Sequence, residues 1–129
     1  MTGVVLDASA VLAIVNGEAG AAEVATRLVD ARISAINYGE VTSHLVRKQL
    51  SSETIERTLR PLRLTIVPAN AEHARIAGEL VTATRAAGLS LGDRFCLALA
   101  RTLALPALTA DRQWAFVSEA VGVEVVLIR

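Results

Sequence analysis

Short apolar runs alternate along this chain with longer stretches of helical period. Val4-Val5-Leu6, Arg32 to Ile36, Leu64 to Val67, Ala107 to Ala110 and Val123 to Ile128 read as strands. They are short and mostly apolar, as strands covered on both faces should be. Between them the apolar positions recur every three to four residues, as in Ala21, Val24, Ala25, Leu28 and Val29. This spacing predicts helices over Ala8 to Val15, Gly20 to Ala31, Tyr38 to Gln49, from Ser51 onward, and over Asn70 to Ala87. Gly88 is a stop signal for the last of these. Ser90-Leu91-Gly92-Asp93 has the form of a capping box before a helix ending near Leu103, and Asp111 opens another helix. Alternating strands and helices predict an α/β fold: three layers, α/β/α, around a short central parallel sheet.

Composition narrows the class. The 129 residues are 53% hydrophobic and 20% charged, which fits one domain over residues 1–129 and excludes disorder and coiled coil. The apolar surplus suggests surface left for a partner. Thirteen basic and 13 acidic residues cancel, which excludes a globally basic coat for nucleic acid; an RNA ligand would need a local patch. The single cysteine, Cys96, excludes a disulfide framework and a cysteine-rich zinc site, and fits a reducing cytosol. Asp7 interrupts the apolar start and no Lys or Arg precedes it, so a signal peptide is not expected. No apolar run is long enough for a membrane span. A cytoplasmic location is expected.

The acids carry the chemistry. There are only four aspartates: Asp7, Asp30, Asp93 and Asp111. Asp7 follows the first predicted strand and Asp111 the fourth, so both belong at one sheet edge. Glu40 begins the helix after the second strand and returns to that edge. Asp93 starts a helix of roughly 18–20 Å. The strand that follows runs back over roughly 17 Å, which brings Asp93 level with Asp111. Each acid alone has a plainer reading: Asp7 and Asp111 as helix caps, Asp93 as half of a capping box, Glu40 as a first-turn acid. Together they repel, by about 4 kcal/mol for two carboxylates 4 Å apart at an effective dielectric of 20. A cluster therefore needs protons, arginines or a divalent cation. An all-oxygen donor set suits Mg²⁺ or Mn²⁺ rather than zinc. Ser9 and Thr109, two residues from Asp7 and Asp111, are candidate hydroxyl donors that orient a carboxylate. Arg94 and Arg112 each follow an acid and are candidate phosphate contacts.

Asp7-Ala8-Ser9, the helix-borne Glu40, Ser90-Leu91-Gly92-Asp93 and Thr109-Ala110-Asp111-Arg112-Gln113-Trp114 together resemble a PIN domain. More closely, they resemble the VapC-type ribonuclease toxins of prokaryotic toxin–antitoxin pairs. The likeness runs from residue 4 to the closing Val125-Val126-Leu127-Ile128-Arg129. It implies a Mg²⁺- or Mn²⁺-dependent endoribonuclease with Asp7, Glu40, Asp93 and Asp111 as the catalytic acids. Asp7, Asp93 and Asp111 are the implied metal ligands, and Thr109 is the family's hydroxyl near the last acid. It also implies a homodimer held in check by a VapB-type antitoxin protein.

Rival readings are weaker. A receiver-type phosphoacceptor domain wants adjacent acids after the first strand and a lysine after a late one; here Asp7 stands alone and the only lysine is Lys48. A metal-free ribonuclease would use His44 and His73, which fall on separate helices. Arg57, Arg60 and Arg63 read as a solvated face. The alternative of a different class is a non-catalytic PIN-type RNA-binding or scaffold module, which the full set of acids disfavours.

Overall fold

The computed structural model describes residues 2–129. Five three- and four-residue strands form one sheet: β1 (Val4–Leu6), β2 (Ala31–Ser34), β3 (Thr65–Val67), β4 (Ala107–Thr109) and β5 (Val125–Leu127). Every pairing is parallel and the order is β3-β2-β1-β4-β5. The chain builds outward from β1 to β2 and β3, then returns to the other side of β1 with β4. The order therefore reverses between β1 and β4, where the carboxyl ends of an open α/β sheet leave a crevice.

The helices are α1 (Ala8–Asn16), α2 (Ala21–Ala25), α3 (Ala35–Arg47), α4 (Ser52–Leu59), α5 (Ala71–Glu79), α6 (Val81–Thr84), α7 (Leu91–Leu103) and α8 (Ser118–Val121). They form two layers because β1 sends alternate side chains to opposite faces. Val4 and Leu6 pack with Val11 of α1, Val41 and Leu45 of α3, and Ile55 and Leu59 of α4. Val5 packs on the other face with Leu97 and Leu99 of α7, Leu80, Trp114 and Val121. The expected three-layer architecture is what the chain adopts.

Three elements differ from the pattern reading. The helix expected over Gly20 to Ala31 ends at Ala25, because Ala31 is drawn fully into the core as the first residue of β2, paired with Val4. Helix α3 begins at Ala35 rather than Tyr38: Ser34 ends β2 and at once caps the helix, its Oγ accepting from Ile36 N at 3.2 Å. The long helix expected over Asn70 to Ala87 breaks into α5, α6 and a 3₁₀ turn over Arg85–Ala87. The break falls where β-branched Val81, Thr82 and Thr84 lower helix propensity. Gly88 ends the segment in the left-handed conformation, φ 73°.

Candidate metal-binding site at the sheet switch point

Asp7, Glu40, Asp93 and Asp111 line one depression of about 290 Å³, with Leu12 of α1 and with His44 and Arg47 of α3 at its rim. Each acid arrives from a separate stretch of chain and each is held differently.

Asp7 sits at the N-cap position of α1, yet its carboxylate makes no capping bond. It is 4% exposed, and Ser9 Oγ and Thr109 Oγ1 both donate to its Oδ2, at 2.8 and 2.9 Å. The same hydroxyls accept from backbone: Ala110 N donates to Ser9 Oγ at 2.9 Å and Asp111 N to Thr109 Oγ1 at 3.0 Å. Each hydroxyl has one proton and gives it to Asp7. The end of β4 is thereby buckled to the start of α1 through one carboxylate. Burial pushes the Asp7 carboxyl up from 3.8 to about 6; the bond from Ser9 opposes this, the charge of Asp93 adds to it, and the bond from Thr109 opposes it.

Asp93 does both things that its sequence context allowed. Its Oδ2 accepts from Ser90 N at 2.9 Å and its own N–H donates to Ser90 Oγ at 3.1 Å, a complete capping box at the start of α7. The side chain still borders the depression. Burial raises its carboxyl, the bonds from Ser90 oppose this, and the charge of Asp111 raises it further. Asp111 is exposed and caps the 3₁₀ turn Arg112–Phe116, accepting from Gln113 N at 2.9 Å. Glu40 lies in the second turn of α3, further into its helix than the strand boundary suggested. It is gripped by Asn37, whose Nδ2 donates to Glu40 Oε1 at 2.8 Å and to the Gly92 carbonyl at 2.9 Å. Beneath the acids, Cys96 is fully buried; burial first, then the charges of Asp7, Asp93 and Glu40, push its thiol up.

The two arginines expected at phosphate separate. Arg94 leaves the depression: its Nη1 donates to the Ala77 carbonyl at 2.7 Å, tying α7 to α5. That is a structural use, in contrast to the phosphate contact expected of it. Arg112 is exposed and reaches the carbonyl of Arg129 at 3.2 Å. The rim cation is instead Arg47, which adjacency to an acid in sequence does not reveal; its placement seven residues after Glu40, two helical turns along one face, does. Nor does adjacency in sequence reveal Asn37, although its position three residues before Glu40 puts both on one face of α3. His73 is buried on α5, away from the depression that His44 borders, so the two histidines do not form an acid–base pair.

The donor set fits a hard divalent cation. Among the described residues, none of the four acids is in an ion pair. Asp7 is raised partly by the charge of Asp93, and Asp93 by that of Asp111, with the charge of Arg94 opposing the latter. No three acid, histidine or cysteine side chains among the described residues are gathered tightly enough to ligate one ion together. Mg²⁺ does not require this, since it keeps several waters and takes one or two carboxylates directly.

The PIN-domain profile matches residues 4–120. The VapC ribonuclease Mb2780c of Mycobacterium bovis is 32% identical to this chain, with 81% of this chain and 87% of that protein covered. Ribonuclease VapC42 of Mycobacterium tuberculosis matches with the same figures. Two solved structures share the fold. VapBC2 from Rickettsia felis, bound to a DNA fragment from its promoter, gives a TM-score of 0.75 at 17% identity, with 98% of each chain covered. FitAcB from Neisseria gonorrhoeae gives 0.73 at 20% identity, with 97% of each covered. The sheet order, the four acids at its switch point and these likenesses agree: the chain belongs to the PIN-domain family, within its VapC branch.

Proposed function

We propose that this chain, a single PIN domain, is a divalent-metal-dependent endoribonuclease and the toxin of a toxin–antitoxin pair, acting in the cytoplasm. The observation that carries the reading is the meeting of four carboxylates in one depression at the switch point, none of them in an ion pair among the described residues. The named ribonuclease relatives support RNA as the substrate.

Asp7, Asp93 and Asp111 would hold Mg²⁺ or Mn²⁺. When bound, such an ion lowers the pKa of the attacking water and neutralises charge that builds on the phosphoryl oxygens. The chain's own residues do the positioning. Ser9 and Thr109 fix Asp7 by one oxygen, which leaves Oδ1 free of both hydroxyls. Ser90 fixes Asp93, and the Gln113 N–H fixes Asp111. Glu40 orients the attacking water. Each carboxylate is thus set before substrate arrives, which lowers the entropy lost at the reacting centre. Arg47 at the rim and Arg112 beside Asp111 supply the phosphate contacts that a chain of zero net charge needs locally.

Partners follow from the same reading: a VapB-type antitoxin and a second copy of the chain. Support comes from apolar side chains left at the surface, including Leu91 at the start of α7 at 53% exposed and Phe116 at 79%. No helix among the described residues is long and apolar enough to cross a membrane.

The test is to map new RNA ends after induction of the wild type and of Asp7→Ala, and to repeat the cleavage with purified protein. Cleavage should stop in excess chelator, return with Mg²⁺ or Mn²⁺, and be absent in Asp7→Ala. Undiminished cleavage in chelator would overturn the metal-dependent reading.

A further inference from the structure

Two residues that no metal or RNA contact explains converge on Glu40. Gly92 is the second residue of α7, at a helical position where alanine is the better helix former. A Cβ placed there would meet the Glu40 carboxylate before anything else, Oε2 first, then Cδ at 2.7 Å and Oε1 at 3.0 Å. Asn37 is fully buried on α3. Its Nδ2 donates to Glu40 Oε1 and to the Gly92 carbonyl, two acceptors that fix the orientation of the amide. Its Oδ1 is buried without a partner.

Both choices work against stability. A buried acceptor left unpaired costs its desolvation, and a glycine inside a helix costs backbone entropy. Two such costs meeting at one carboxylate point to a use for that carboxylate. We propose that Asn37 and Gly92 form a socket that positions Glu40 for cleavage. Asn37 grips Oε1, and the missing Cβ lets the carboxylate lie against the first turn of α7, next to Asp93. Asn37 and Gly92 are positioning residues. The inference rests on the nuclease reading above and extends it by two residues that carry no charge and bind no metal.

Gly92→Ala separates positioning from folding, because the atoms its Cβ displaces are the end of a flexible side chain. Wild type, Gly92→Ala, Glu40→Ala, the double variant and Asn37→Leu are compared, first by thermal melting in chelator. Gly92→Ala should melt at or above the wild type. It should raise the melting temperature more in the Glu40→Ala background, where no carboxylate is displaced. Steady-state cleavage with Mg²⁺ is then measured. Gly92→Ala and Asn37→Leu should lower kcat about 10–100-fold with KM little changed. Adding Gly92→Ala to Glu40→Ala should cost nothing more. Wild-type kcat in Gly92→Ala, losses that multiply in the double variant, or Gly92→Ala melting well below the wild type would each overturn the socket. Asp7→Asn run in parallel identifies the separate failure: if it cleaves at the wild-type rate, the nuclease site itself is misassigned and the socket falls with it.

Discussion

The depression has two halves, and the buried acid of one, Asp7, is held on different terms from the helix-start acid of the other, Asp93. The sheet half carries Asp7 and Asp111 at the ends of β1 and β4. The helix half carries Glu40 and Asp93 on α3 and α7. In the sheet half, Asp7 is buried, its carboxyl raised to about 6, and its local helix takes no cap from it. In the helix half, Asp93 completes a capping box and so supports the helix that presents it. Burial raises both carboxyls, but Asp93 offsets part of that cost with its capping box and Asp7 has no cap to set against it. The difference shows that lining the depression and capping a helix are not exclusive for an acid at a helix start; which holds depends on what the tertiary structure gives the carboxylate to bond.

Asp7→Asn should produce the largest effect and the sharpest contrast. Below pH 3.8 the folded and unfolded chains both keep the Asp7 proton. Between 3.8 and about 6 the unfolded chain releases it while the folded chain holds it, so stability falls as pH rises and levels above about 6. The rise from 3.8 to about 6 corresponds to about 3 kcal/mol at neutral pH. In chelator at pH 8, Asp7→Asn should therefore melt several degrees above the wild type, and its stability should lose this pH slope. With Mg²⁺ it should not cleave RNA. Thermal melts from pH 4 to 8 decide it: equal or lower stability of the variant throughout would remove the distinction between the halves.

Asp93→Ala tests the other half. It should abolish cleavage as well, but lower stability in chelator by about 1 kcal/mol through the lost capping box. Denaturant titration at pH 8 should place Asp7→Asn above and Asp93→Ala below the wild type. Both moving in the same direction would mean that the acids share one structural role.

The smallest effects concern arginines. Binding of single-stranded RNA, measured with Ca²⁺ in place of Mg²⁺, should lose about 0.7 from its log–log salt slope in Arg112→Ala and the same in Arg47→Ala. Arg94→Ala should leave the slope unchanged and lower the melting temperature, since its guanidinium holds the Ala77 carbonyl. A slope change in Arg94→Ala alone would return the phosphate contact to that residue.

The pattern of apolar positions and caps determined the strands, the parallel class, the capping box at Ser90 and the convergence of four acids, because these depend on local periodicity and on the rule that parallel strands end together. It did not determine where α3 begins, since Ser34 serves the strand and the helix at once. Nor did it determine that α5 stops at Glu79, where weak β-branched propensities tip against a long helix. The roles of individual side chains also waited for the fold. Arg94 and Arg112 look alike in sequence, each following an aspartate, but one faces the carbonyls of α5 and the other faces solvent. Asn37 and Gly92 are 55 residues apart, and only the packing of α3 on α7 sets them around the same carboxylate. Sequence fixes what each residue can donate, accept or leave empty; the tertiary structure alone decides which partner stands within reach, because hydrogen bonds and steric contact act over a few ångströms and the chain brings those distances about only when it folds.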